Sequence, residues 1–372
     1  MVNQPSVLQI TLIWNSKRFS LFPFNSGGVS MMPLFTRVAR RCFAFLLFLM
    51  SNFYCFSLGN IETSGSLRQT EDAFYISGEI VDTPTSAGAL LNPLAPEIVV
   101  RRGSSRAEQV MKALARAHPK RLGEAVFRDE DWTVELHGKR YYYADGRILP
   151  EELRNKADAY SPQPFYQYPD NIPEWQRPSP QDAARYALMD KQRRSGGAAN
   201  RAQIFYDELW RIHNRAEAWK QQKTIRFLGK EVLVHYAILE ELALVEQKIN
   251  EAAAKDPKVR QWISNLETIS AWNWRDIADT HSRSNHAYGI AIDLLPSARN
   301  RLEIYWLWTA QKNIDWWDIP YSQREKPPDA IIKAFEAYGF IWGGKWLFYD
   351  TMHFEYRPEI LFLNDIPLRG EY

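Results

Sequence analysis

Cysteine is nearly absent. The 372 residues hold two, Cys42 and Cys55, both near the front. From residue 60 onward there is no thiol, which excludes a disulfide framework, a cysteine–zinc site and a cysteine nucleophile there. Catalysis in that part must rest on His, carboxylates, Ser, or a metal held by nitrogen and oxygen. A surplus of one charge is missing too, with 46 Lys+Arg against 44 Asp+Glu. The basic excess lies at the front. Residues 1–59 contain Lys17, Arg18, Arg37, Arg40 and Arg41 and no acid, which leaves the other 313 residues at −3. A mildly acidic chain lacks the electrostatic footprint of a nucleic-acid binder, so no nucleic-acid partner is expected. No apolar run reaches the roughly 20 residues of a spanning helix. Internal repeats and heptads are also missing. At 45% hydrophobic and 24% charged the chain is not disordered as a whole. Its length suits two domains, or one with a large extension.

What is present begins with an export pattern. Arg37, Arg40 and Arg41 precede an apolar run over 42–56, and Ser57-Leu58-Gly59 follows. Basic, then apolar, then small is the order of a secretory signal. Residues 1–59 therefore read as a signal segment, with Met31 or Met32 as the true start and the mature chain starting near Asn60. Asn52-Phe53-Tyr54 before Cys55 is a poor match to a lipoprotein processing box. The expected location is periplasmic or extracellular. An uncleaved segment acting as a membrane anchor is the alternative, and the only membrane contact expected.

Residues 60–200 read as an N-terminal extension of unknown role, with a short strand at 73–81 and a helix over 105–117. The alternation at Trp132, Val134 and Leu136, followed by His137-Gly138, predicts a hairpin over 132–143. The Pro- and Tyr-rich stretch 161–180 predicts an extended connector, and Ser195-Gly196-Gly197 marks a soft boundary near 200. Residues 201–372 read as the catalytic domain. Its spacing predicts one amphipathic helix over 202–222, two strands around Gly229, a helix over 239–254 and another over 259–266.

Chemistry concentrates in two segments. The first is Ser284-Asn285-His286-Ala287-Tyr288-Gly289-Ile290-Ala291-Ile292-Asp293; the second is Tyr349-Asp350-Thr351-Met352-His353-Phe354-Glu355. Residues 290–295 and 346–356 each predict a strand. A lone acid such as Asp293 in a buried strand is costly unless something pairs with it. Asp350 and His353 are three apart, so a regular strand points them to opposite faces, and a bend is needed to unite them. Two His and one carboxylate suit zinc, with a fourth position open to water and a second carboxylate to take its proton. The bland reading of the same residues is a capping His286, an amide-bonded Asp293 and a His353 packed among aromatics.

These segments resemble the VanY-type zinc peptidases of bacterial cell walls, which include D-alanyl-D-alanine carboxypeptidases and L-alanyl-D-glutamate endopeptidases. The pattern S-x-H-x-x-G-x-A-x-D is matched by Ser284, His286, Gly289, Ala291 and Asp293. The acid three residues before H-F-E is matched by Asp350, His353, Phe354 and Glu355, and an upstream Gly-Gly-x-Trp turn by Gly343, Gly344 and Trp346. The resemblance covers about residues 268–358. It implies an α+β fold, helices packed on a small, mostly antiparallel sheet that carries a Zn2+ site. It implies His286, Asp293 and His353 as metal ligands, Asp350 as general base, Arg275 at the oxyanion and Ser284 as a substrate contact. The implied partners are peptidoglycan stem peptides. The implied function is zinc-dependent hydrolysis of their peptide bonds, as a D,D-carboxypeptidase or an L-Ala-D-Glu-type endopeptidase. An inactive protein that binds wall peptides is the alternative. Glu355 is left between steadying a ligand imidazole and facing solvent. Trp306, Trp308, Trp316 and Trp317 suggest a cleft lining, with one of the adjacent pair exposed.

Overall fold

The computed structural model describes residues 105–195, 199–277, 282–297 and 302–369. The signal segment and the strand expected at 73–81 lie outside them. Helix α1 (Arg106–Ala117) starts where the Ser105 side chain accepts from the Glu108 amide, and it buries Val110, Met111 and Leu114. Ser at that position satisfies an amide that the helix itself leaves free. Strands β1 (Val126–Arg128), β2 (Asp131–Leu136), β3 (Lys139–Tyr142) and β4 (Leu149–Pro150) form an antiparallel sheet in that order. The expected hairpin is β2–β3. His137 and Gly138 both have positive φ, 50° and 78°, as a two-residue hairpin turn requires. Residues 161–179 run largely without regular structure, as expected, into α2 (Pro180–Arg194).

The single helix expected over 202–222 is two, α3 (Ile204–Trp210) and α4 (Arg215–Gln221). Arg211 turns left-handed at φ 55° and ends the first; the Asn214 side chain caps the second. The apolar spacing Phe205, Leu209, Ile212, Ala216 runs through the break, so periodicity alone does not show it; in the structure Ala216 is exposed and Ala218 is buried instead. Strands β5 (Gln222–Phe227) and β6 (Lys230–His235) turn at Leu228 and Gly229, again with positive φ. Helices α5 (Leu239–Lys255) and α6 (Pro257–Ser264) follow.

The second four-stranded sheet carries the site. It is built from β7 (Leu266–Ser270), β8 (Ala291–Pro296), β9 (Phe340–Trp342) and β10 (His353–Tyr356), in the order β7-β8-β10-β9, with every pair antiparallel. Short helices α7 (Asn285–Tyr288) and α8 (Trp306–Ala310), then α9 (Asp329–Glu336) and α10 (Pro358–Leu363), complete the described fold. Mixed helices and strands with small antiparallel sheets are the expected α+β class. The strand expected over 346–356 is confined to β10. Residues Gly343–Lys345 form a turn of 3-10 helix, and the Asp350 amide donates back to the Gly343 carbonyl at 3.1 Å, closing a loop.

One core runs from Val110 to Ile366. Tyr141 packs edge-on against Phe205 at 5.2 Å, and Arg116 lies over Phe362 at 4.2 Å. The soft boundary near residue 200 marks a change of sequence character, but packing is continuous across it. A smaller cluster joins Tyr186 and Met189 of α2 to Trp306, Trp316, Trp317 and Phe348. Trp316 and Trp317 are both buried, contrary to the expected exposure of one. They sit in a 3-10 turn wedged between α8 and the 347–349 segment, where both ring directions meet protein. Trp308 is the exposed one.

Candidate metal centre and cleft

Helix α7 exists to aim one side chain. The Ser284 hydroxyl accepts from the His286 amide at 3.3 Å and starts the helix. Gly289 ends it with φ 75°. A Cβ at Gly289 would collide with Gln222 Oε1 and lie 2.9 Å from the His235 amide, so both conformation and space demand glycine. Replacing Gly289 by Ala should therefore destabilise the fold by more than the usual ~1 kcal/mol for a helix-end change. Chemical denaturation checks this; an unchanged midpoint would contradict it.

The segment after β7 then grips α7. Trp272 Nε1 donates to the Ala287 carbonyl at 3.1 Å, and the Asn273 amide donates to the His286 carbonyl at 3.1 Å. His286 Nδ1 donates to the Ala271 carbonyl at 2.6 Å. That bond fixes the tautomer and leaves Nε2 as the free electron pair.

Strand register supplies the other two donors. In the β8–β10 pair His353 lies opposite Asp293, and Glu355 opposite Ala291. Residues opposite each other share a face, so Asp293, His353 and Glu355 project together while Phe354 points into the core. Phe354 stacks on Phe335 at 4.0 Å and is fully buried, which holds the strand in this register. Burying a Phe is worth roughly 1.5–3 kcal/mol. Ala291 is small where Glu355 needs room.

His286 Nε2, His353 Nδ1 and Asp293 Oδ1 form a near-regular triangle. The edges are 3.2 Å between the two imidazoles, 3.0 Å from His353 to Asp293 and 3.2 Å from His286 to Asp293. Tetrahedral zinc with bonds of about 2.0–2.1 Å holds its donors about 3.3 Å apart. The triangle is close to that size, and the two nitrogens and one carboxylate oxygen are zinc's preferred ligand types. These three are the group of His, Cys, Asp or Glu side chains found close enough to hold a metal ion among the described residues. Burial works to raise the Asp293 carboxyl, but the charges and hydrogen bonds of both imidazoles outweigh it and hold Asp293 well below the usual carboxylate range.

Glu355 is resolved by the structure. Its Oε2 accepts from His353 Nε2 at 3.1 Å and from Asn285 Nδ2 at 2.7 Å, while Arg357 lies 3.6 Å from Oε1. Glu355 thus fixes the far nitrogen of His353 and turns Nδ1 toward the triangle. Burial lowers the His353 imidazole's basicity, but its bonds to Asp293 and Glu355 win and raise it to about 10. A cation would have to displace that proton. Glu355→Gln should loosen the metal roughly 10–100-fold, the usual cost of losing such an outer partner. Competition against a chelator measures this, and unchanged affinity would rule out the role.

A cleft of about 150 Å³ opens beside the triangle, bordered by His353, Asp350, Arg275 and Ser284 among others. The bend needed to bring Asp350 and His353 together is present: the His353 amide donates to the Asp350 carbonyl at 3.2 Å across a tight turn. Gly343 makes room for it, since a Cβ there would meet the Asp350 carbonyl oxygen at 2.6 Å. One Asp350 carboxylate oxygen is buried without a hydrogen-bond partner. Burial, then the charge of Asp293, push this carboxyl up to about 7, against the pull of His353 and Arg275. Arg275 is exposed at the rim, its Nη1 donating to the Asp276 carbonyl at 3.4 Å. All six residues singled out from sequence therefore gather at one place. Arg193 and Arg201, also on the cleft, were not foreseen. Nothing in their local sequence marks them; only the tertiary packing brings them there. The histidines read as structural lie outside the cleft lining. His118 and His235 are buried, and His137 and His213 pair with Glu208 at the surface.

Residues 278–356 match the model of a VanY-like zinc metallopeptidase family described as D-alanyl-D-alanine carboxypeptidase. The resemblance drawn from the two motifs holds over that segment. Residues 110–165 match a family described as a domain of unknown function, covering most of α1 and the first sheet. No curated protein and no solved structure matches the chain.

Proposed function

We propose that this chain is an exported zinc-dependent peptidase that hydrolyses peptide bonds in peptidoglycan stem peptides. The observation that carries the reading is the 3.0–3.2 Å donor triangle of His286, Asp293 and His353, set beside Asp350 within the peptidase-like segment. Zinc, when bound, supplies Lewis acidity and lowers the pKa of a water towards about 7. Asp350 takes a proton from the attacking water and returns it to the leaving amine. A carboxyl near 7 is matched to both transfers at neutral pH. Arg275 offers an exposed guanidinium at the rim for the charge that develops on the carbonyl oxygen. Ser284 already accepts a backbone hydrogen bond, and its hydroxyl proton remains available to a substrate carbonyl.

Export rests on the basic–apolar–small order of residues 37–59, and it fits a substrate outside the cytosol. Mass spectrometry of muropeptides after incubation with the purified, zinc-loaded protein tests the reading. Loss of a terminal alanine, or scission between the first two stem residues, is the expected product. Intact muropeptides with zinc bound would overturn it. The full chain should be used, because cutting at residue 201 would strip Tyr141 from Phe205 and open the core.

A further inference from the structure

Arg201 is buried, with 8% of its surface exposed, yet it borders the same cleft as His353 and Asp350. Its backbone is pinned: the amide donates to Ser282 Oγ at 3.3 Å, and Ser161 bridges to it in parallel. Its Nε donates to the Pro162 carbonyl at 3.3 Å. Among the described residues no acid forms an ion pair with it, and neither Nη group makes a hydrogen bond. Its neighbour Arg357 differs, since that guanidinium is matched by Glu355 and Glu359. Arg193 adds a second positive charge, lying over the Trp306 and Phe348 rings at 5.2 and 5.0 Å. Burial, then the charges of Arg193 and Arg357, push the Arg201 guanidinium down to about 10, so it remains a cation. A buried cation is costly unless an anion meets it. Here the open side is the cleft.

We propose that Arg201, supported by Arg193, forms a subsite for a free carboxylate of the substrate. The inference rests on the peptidase reading, because the anion a peptide brings to such a site is a carboxylate, which a guanidinium fork receives through two parallel bonds. The cleft is small beside the roughly 300–1,000 Å³ of a drug-sized pocket. Arg201, Arg193, His353 and Asp350 all line it, so the carboxylate shares one cleft with the bond that is cut. Both arginines precede residues 278–356, so the part of the chain outside the peptidase-like segment supplies a specificity determinant.

The test measures binding apart from turnover. Full-length, zinc-loaded Asp350→Asn protein is titrated by calorimetry with acetyl-D-alanyl-D-alanine and with its C-terminal amide. The acid is expected to bind roughly 10–100-fold tighter, the worth of a charge-assisted hydrogen bond. Zinc also attracts a carboxylate, so dependence on Arg201 is the decisive readout. Adding Arg201→Gln should remove most of the preference and leave amide binding unchanged, which also shows that the fold is intact. Arg201→Lys should restore part of it. A preference that survives Arg201→Gln, or equal affinities at the outset, overturns the proposal. If Arg201→Gln loses amide binding as well, Arg193→Gln decides: a reduced acid preference supports the subsite and an unchanged one overturns it. Muropeptide hydrolysis by the unsubstituted protein is scored separately. Its absence alongside an Arg201-dependent acid preference would sink the peptidase reading and leave the subsite standing.

Discussion

His353→Ala should leave the protein without metal and without activity. The substitution removes one corner of a triangle whose edges are 3.0–3.2 Å, leaving His286 and Asp293 as a two-donor site. Two ligands hold zinc poorly. The loss of affinity should exceed the roughly 10–100-fold expected when only an outer partner is removed, so Glu355→Gln provides an internal scale. Folding should survive. Phe354, not His353, carries the packing of β10, and alanine keeps the strand's backbone bonds. Removing His353 also frees Asp293 and Glu355, which each share a hydrogen bond with it. Some destabilisation of the zinc-free variant is therefore expected. Zinc per chain, measured by elemental analysis after dialysis, is the readout. Full occupancy in His353→Ala would show that the ligand set is wrong.

Asp350→Asn should separate chemistry from metal binding. The amide matches the carboxylate in size but cannot accept the proton. Zinc content should stay near that of the parent, while hydrolysis falls on the order of 10²–10⁴-fold, the usual worth of general acid–base catalysis. The pH profile adds a check with a definite sign. A base must be ionised to act, so activity limited by Asp350 rises as pH passes upward through its folded value, which burial and Asp293 push to about 7. Bound zinc, being positive, moves that limb lower. The limb should vanish in Asp350→Asn. Metal lost together with activity would instead make Asp350 a fourth ligand, and both retained would move the base elsewhere. Arg275→Ala should spare the metal and lose roughly 10²–10³-fold if the guanidinium meets the oxyanion.

Much of this site was legible in the sequence because its requirements are local. Glycine at 289 follows from a left-handed helix end with no room for a Cβ. Alternation along His353, Phe354 and Glu355 follows from the two-residue period of a strand, and hairpin turns at His137-Gly138 and Leu228-Gly229 follow from positive φ. Helix α1 could be read from its apolar face, while its Ser105 cap came only with the structure. Reading failed where local pattern and tertiary demand part. The break at Arg211 lies inside an apolar stripe that continues on both sides. Trp316 and Trp317 look half exposed on a helix but sit wholly buried in a tight turn. By itself the sequence determined which residue types meet the chemistry and that Asp350 needed a bend to reach it. Only the tertiary structure decided that β8 and β10 pair with Asp293 opposite His353, that the Ala271 carbonyl and Glu355 each select one imidazole nitrogen, and that Arg201 enters the cleft from another part of the chain. Apart from the two-residue step from His353 to Glu355, these are contacts across 15 to 152 residues. Distances of that kind are set by how strands register and helices pack, and no short-range pattern encodes them.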